Sequence, residues 1–309
     1  MRRLLLFVLV LAIAAIAVPP AYFKIFPERP PQLPAPGVRI PVQGGLAVNA
    51  IVRGDGPAVV LVHGLPGSGY DWAPLTDALA ARGFHVIAYD RIGYGRSDTR
   101  SNDDDFTIAS NAQDLLGLLV NQDLHDVTIV GWSYGGPIAI EAAGRDASRI
   151  GRLVLVASGG PAEAQPKRSS LMNLLFAESV LDWLHAVPPV GRGVQAAMSR
   201  NAFSGGPEPD WWLPQLAANF AAPNTVHAFA QEEDSIADGD ASIDPLTVGV
   251  PILLIHGNDD RLAPLSIGQW IKSHARNARL VVVEGGSHML PLTHTEMLAD
   301  RIAGFARPD

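Results

Sequence analysis

The chain has 309 residues, 48% hydrophobic and 17% charged, enough for one large domain or two small ones. A body of this size buries roughly 75% of its unfolded surface. The net charge of −8 disfavours nucleic acid as a partner, and the absence of cysteine excludes a disulfide framework, a thiolate metal site and a cysteine nucleophile.

Arg2 and Arg3 precede an uncharged run from Leu4 to Phe23, ended by Lys24. As a helix such a run spans about 30 Å, the thickness of a bilayer's hydrocarbon core. The arginines would stay on the cytoplasmic side, with the rest of the chain outside. Two readings share that outcome. One is a retained membrane anchor over residues 1–23. The other is a cleaved signal peptide, for which Ala15-Ile16-Ala17 resembles a cleavage site. The first gives an exported domain held at the membrane, the second a secreted one. Seven prolines between Pro19 and Pro36 predict a stiff extended linker over 24–36.

The globular domain is expected over 37–309. Val38 to Val42 and Leu46 to Val52 predict two strands joined at Gly44-Gly45 as a hairpin. Ala58 to Val62 is an apolar strand that runs into His63-Gly64-Leu65-Pro66-Gly67-Ser68, with a helix expected near Trp72 to Arg82. His85 to Tyr89 is the next strand, followed by Asp90-Arg91-Ile92-Gly93-Tyr94-Gly95-Arg96-Ser97 and by helical periodicity over Ala109 to Val120. Val127 to Val130, Leu153 to Ala157, Pro251 to Ile255 and Arg279 to Val283 complete the strands. Strands alternating with helices at this spacing predict an α/β fold: a mostly parallel central sheet with helices on both faces.

One segment breaks the alternation. Between Gly159 and Val248 no buried strand is expected, and Leu, Ala, Phe and Trp recur at helical spacings. Trp183, Trp211 and Trp212 lie here, either walling a pocket or holding the segment on the core. From Pro161 to Pro245 there are eleven acidic and four basic residues, a difference of −7. If the segment guards an entrance, that field would disfavour anionic substrates. Otherwise the charges, many of them in Glu232 to Asp244, only solvate a surface.

The chemistry centres on Val127 to Pro137, Val-Thr-Ile-Val-Gly-Trp-Ser-Tyr-Gly-Gly-Pro. A β-branched strand runs into Gly131-Trp132-Ser133-Tyr134-Gly135, and Ile138 to Ala143 then read as a helix. This predicts a strand, a sharp turn and a helix with Ser133 at the tip, its backbone strained so that Oγ clears the sheet. A serine nucleophile needs a base, and the base needs an orienting acid. His288 follows the last strand in Glu284-Gly285-Gly286-Ser287-His288, where a loop could bring an imidazole beside that tip. His63 and His256, each before a glycine at a strand end, are expected to hold loops. Asp259 and Asp260 follow the strand that ends at Ile255. Asp103-Asp104-Asp105 lacks calcium-loop spacing, and Gly64 to Ser68 lacks the Gly-Lys-Ser/Thr ending of a phosphate loop.

Gly131 to Gly135 fits the G-x-S-x-G nucleophile elbow, and the chain from Gly37 to Asp309 resembles the α/β-hydrolase family. The resemblance implies a helical cap at about 160–247. It implies a triad in the order Ser133, Asp260, His288, with Asp260 chosen over Asp259 by its spacing before Pro264. It also implies an oxyanion hole from the N–H groups of Leu65 and Tyr134. Asp90 to Ser97 resembles a structural loop of the family. A carboxylesterase working through an acyl-enzyme is the expected activity, on a small-molecule, largely apolar and neutral ester, with no cofactor and no metal. C–C bond hydrolysis, amide or peptide hydrolysis and peracid formation run on the same layout. A non-enzymatic binding protein on this fold is the reading of another class.

Overall fold

A computed structural model of the chain describes residues 2–28, 31–101, 106–161, 164, 176–237 and 244–307, the side chains of 2–13 and of 246 excepted. Asp103 to Asp105 lie outside the described residues. Eight strands form one sheet: β1 (Val38–Pro41), β2 (Ala47–Arg53), β3 (Ala58–Val62), β4 (His85–Tyr89), β5 (Val127–Trp132), β6 (Ile150–Val156), β7 (Ile252–Gly257) and β8 (Ala278–Val283). Their spatial order is β1-β2-β4-β3-β5-β6-β7-β8. β2 runs antiparallel to both β1 and β4, and every other pair is parallel. The expected hairpin turns through a short 3₁₀ segment, Gln43–Gly45, with Gly44 and Gly45 at positive φ.

The helices are α1 (Arg2–Ile25), α2 (Ala73–Ala80), α3 (Ile108–Asn121), α4 (Gly135–Arg145), α5 (Glu178–Ala186), α6 (Pro188–Ala202), α7 (Trp212–Ala221), α8 (Thr225–Ala237), α9 (Leu265–His274), α10 (Leu290–Thr293) and α11 (Thr295–Ala306). Central strands are buried on both faces, which is why they read as unbroken apolar runs. On one face, α3, α4 and α9 close over the sheet through Leu115, Ile138 and Ile267. On the other, α2 and α11 do so through Leu75, Leu79, Leu298 and Ile302. Each such side chain contributes roughly 1.5–3 kcal/mol relative to exposure. The start of α3 is fixed by Thr107, whose Oγ1 accepts the Ser110 N–H at 3.1 Å.

Helices α5 to α8 follow β6, in the segment expected to be helical. A separate apolar cluster joins them to the body, with Tyr94 and Phe106 meeting Leu181, Val226 and Phe229. Of the three tryptophans there, Trp212 is buried, Trp211 is exposed, and the Trp183 indole donates to the Ile16 carbonyl of α1 at 2.7 Å. The acid-rich stretch is not wholly a solvated face: Glu232 and Glu233 are buried.

The linker departs from its expected boundary. Helix α1 continues through Pro19 and Pro20 to Ile25, so residues 24 and 25 are helical. Each proline removes one N–H, but the ladder closes again beyond them, where Phe26 N–H donates to the Tyr22 carbonyl at 2.8 Å. Residues 33–35 lie on the body instead of standing off it. The carbonyls of Pro34 and Leu33 accept from Arg96 at 3.0 and 3.1 Å, and that of Ala35 accepts from the Tyr70 hydroxyl. Among the described residues no helix is long and apolar enough to cross a membrane.

Candidate active site

The loops at the carboxyl ends of β3, β5, β7 and β8 converge, as an open α/β sheet arranges them. Strand β5 is buried at every residue and ends at Trp132. Ser133 follows at φ 54° and α4 starts at Gly135. That positive φ is a strained position for a residue with a Cβ. Two glycines let the turn close: a Cβ on Gly131 would meet the Gly135 carbonyl oxygen at 2.3 Å, and one on Gly135 would meet the Val62 carbonyl oxygen at 2.2 Å. The β3 loop passes equally near, since a Cβ on Gly64 would lie 2.8 Å from the Ser133 Cβ. Leu65 is thereby next to the serine, and Tyr134 sits at the first turn of α4, where N–H groups point out of the helix.

His288, in the loop after β8, is buried, and its Nδ1 meets Asp260 Oδ2 at 2.9 Å and Oδ1 at 3.1 Å. The Asp260 Oδ1 also accepts the N–H groups of Leu262 and Ala263 at 2.9 and 2.8 Å. Burial pushes this carboxyl upward. The His288 charge and hydrogen bond, with the Ala263 N–H, outweigh it and hold Asp260 below the ordinary carboxylate range. Asp259 points elsewhere: its carboxylate is half exposed, 3.8 Å from the Arg261 Nε. Ser133, His288, Gly64 and Leu65 line one cavity, whose other walls include Trp132, Trp212, Leu216 and Met289.

His63 and His256 hold loops. Arg91 N–H donates to His63 Nε2 at 2.9 Å, which leaves the proton on Nδ1, facing the Gly64 carbonyl at 2.9 Å. Burial first, then the Arg91 charge, keeps His63 far below its ordinary value and hence neutral. His256 Nε2 lies 2.6 Å from the Ala263 carbonyl. Among the described residues no group of three His, Cys, Asp or Glu is placed to hold a metal ion.

Three features escape sequence reasoning. The Trp132 indole donates to the His288 carbonyl at 3.0 Å, and its ring lies 5.9 Å from the imidazole. The variable position of the elbow thus clamps the histidine loop, and the only signal was its size. Arg91, in a loop expected to be structural, pairs with Glu232 of α8 and donates to the Gly64 carbonyl at 3.2 Å. Asp71, after the β3 loop, accepts from Ser68 N–H at 3.0 Å and from Asn219 Nδ2 of α7 at 3.2 Å.

Burial is the main reason the Asp71 pKa is raised to about 7, against the pull of Ser68 and Asn219, with the Asp90 charge adding to it. A folded-state pKa above the unfolded value near ~3.9 means that the native state holds the proton more tightly. Its stabilising contribution is complete below about pH 4 and is lost as pH rises to about 7. Asp71→Asn is therefore expected to gain on the parent in melting temperature across that window. Parallel melting curves from pH 4 to 8 check this, and identical slopes would refute it.

The sequence model described as the alpha/beta hydrolase fold matches residues 57–295. A non-heme chloroperoxidase from Kitasatospora aureofaciens is 28% identical over 247 residues, 76% of this chain and 86% of that protein. A 2-hydroxy-6-oxononadienedioate/2-hydroxy-6-oxononatrienedioate hydrolase from Paraburkholderia xenovorans is 27% identical over 255 residues, 80% of this chain and 86% of that one. The solved structure of an esterase from Exiguobacterium antarcticum superposes with a TM-score of 0.73 at 21% identity, over 88% of this chain and 100% of the other.

Proposed function

The chain belongs to the α/β-hydrolase family, and on that premise we propose that it is a serine hydrolase cleaving neutral, largely apolar carboxylic esters through an acyl-enzyme. The observation that carries this reading is the pairing of His288 Nδ1 with the buried Asp260 at 2.9 Å, on an imidazole that lines the same cavity as the strained Ser133. With Nδ1 engaged, Nε2 is the nitrogen left to take the Ser133 proton as Oγ attacks the ester carbonyl. The alcohol leaves with that proton. Water, deprotonated by His288, then attacks the acyl-enzyme and releases the acid. The N–H groups of Leu65 and Tyr134 are the donors to the oxyanion, and a donor of this kind is worth ~10²–10³ in rate. Trp132, Trp212, Leu216 and Met289 around the cavity favour an uncharged, apolar substrate.

The same residues would serve C–C bond hydrolysis, and the Paraburkholderia relative is named as a hydrolase of 2-hydroxy-6-oxononadienedioate, a substrate that is not an ester. One experiment addresses both. A fluorophosphonate is expected to add one phosphonyl group at Ser133, read by peptide mass spectrometry, and Ser133→Ala should abolish both labelling and ester turnover. Labelling that survives the substitution would refute the nucleophile. Labelling of Ser133 without turnover of any ester, together with cleavage of a vinylogous 1,5-diketone, would favour the C–C reading.

A further inference from the structure

Two cavities meet beneath α6 and α7. The inner one, lined by Ser133 and His288, has a volume of about 80 Å³, roughly the liquid volume of three water molecules. The outer one, about 550 Å³, lies between the end of α1 and helices α5 to α7. Gln195 of α6 and Phe220 of α7 line both, so the two cavities share a boundary at these residues. Sites that enclose small organic ligands run to ~300–1,000 Å³. The inner cavity falls far short of that range, and the outer one lies within it.

The outer wall is contributed by chain upstream of the matched hydrolase region, with Pro20 and Phe23 of α1 facing Ala217 of α7 across the space. Contacts on either side of it hold α1 and the chain just beyond its end against α5 and α6. The Trp183 indole donates to the Ile16 carbonyl at 2.7 Å, and Arg192 pairs with Glu28 at 2.7 Å. The Phe220 ring is seated edge-on against Phe229, 5.9 Å between centroids.

Resting on the serine-hydrolase reading, we propose that the substrate is an ester with one long apolar chain. The ester group reacts in the inner cavity while the chain passes between Gln195 and Phe220 and lies in the outer chamber against α1. The N-terminal helix is then a wall of the binding site.

The test uses the full chain and Ala217→Trp, which places an indole in the outer chamber at a residue that does not line the inner one. Vinyl acetate, vinyl dodecanoate and dodecyl acetate are compared by kcat/KM, and binding of dodecan-1-ol to a Ser133→Ala background is measured by calorimetry. The parent is expected to prefer one of the long esters. Ala217→Trp should cut that preference over vinyl acetate at least tenfold and weaken dodecanol binding by a similar factor, with circular dichroism as the fold control. Unchanged preference and unchanged binding, with vinyl acetate still cleaved, would overturn the chamber and leave the hydrolase reading standing. Weakened dodecanol binding by a protein that cleaves none of the esters would remove the ester-hydrolase reading and keep the chamber. A parent that neither cleaves the esters nor binds dodecanol would remove both.

Discussion

Asp260→Asn is expected to lower kcat by several orders of magnitude, and Asp259→Asn by less than tenfold. The Asp260 carboxylate faces His288 Nδ1 at 2.9 Å with Oδ2 and takes the Leu262 and Ala263 N–H groups with Oδ1. An amide can keep the second set by presenting its oxygen to those two N–H groups. Its NH₂ group then faces Nδ1, which must turn from donor to acceptor. That fixes the imidazole proton on Nε2, where the base has to accept one from Ser133. The loss of the correct tautomer costs ~10⁴ in turnover in a serine protease with this constellation. Asp259, beside Arg261 at 3.8 Å and half exposed, has no such duty. Both kcat values, with melting temperatures as fold controls, decide the assignment. If Asp259→Asn is the crippled variant, the orienting acid is the other carboxylate.

The pH dependence of stability bears on the same carboxylate. Asp260 is held below the ordinary carboxylate range, so its stabilising contribution is present above about pH 4 and is lost only as pH falls through its lowered folded value. The sign is opposite to that of Asp71.

How far the sequence could be read depended on the range of the interactions. The central strands were legible because a doubly covered parallel sheet demands uninterrupted apolar runs, such as Ala58 to Val62 in β3 and the fully buried β5, whereas β1 and β2 were marked by the Gly44-Gly45 turn between them. The elbow was legible because two glycines and a serine must stand at fixed offsets for strand and helix to meet, as the approaches at Gly131 and Gly135 require. The partners of helices α5 to α8 were not. Arg91 and Glu232 are 141 positions apart, and nothing local distinguishes a glutamate that will be buried from the solvated acids beside it. The end of α1 was placed two residues early for a related reason. Lys24 ends the uncharged run locally, and the packing of that helix on Trp183 cannot be seen from its own residues.

The second large effect is expected at Glu232. Both side chains of the Arg91–Glu232 pair are buried. Arg91 Nη1 donates to Glu232 Oε1 and to Asn111 Oδ1, and Nη2 donates to Glu232 Oε2 at 3.0 Å. The glutamate also accepts from the Tyr94 hydroxyl at 2.6 Å and from Asn111 Nδ2 at 2.8 Å. Burial alone would push the Arg91 guanidinium down, and the Glu232 charge reverses the direction. Glu232→Ala leaves a buried cation without its counter-charge, which costs about 3–5 kcal/mol of stability. Because Arg91 also holds the Gly64 carbonyl and the His63 ring beside the serine, activity should fall before the protein melts. Replacing both partners, as in Arg91→Met with Glu232→Leu, removes the unpaired charge, so urea unfolding is expected to give the double variant more stability than Glu232→Ala alone. Its ester turnover should nonetheless stay low, since the methionine cannot donate to Gly64. A Glu232→Ala protein within about 1 kcal/mol of the parent would show that the pair does not fasten α8 to the body, a cost far below that of stranding a buried charge.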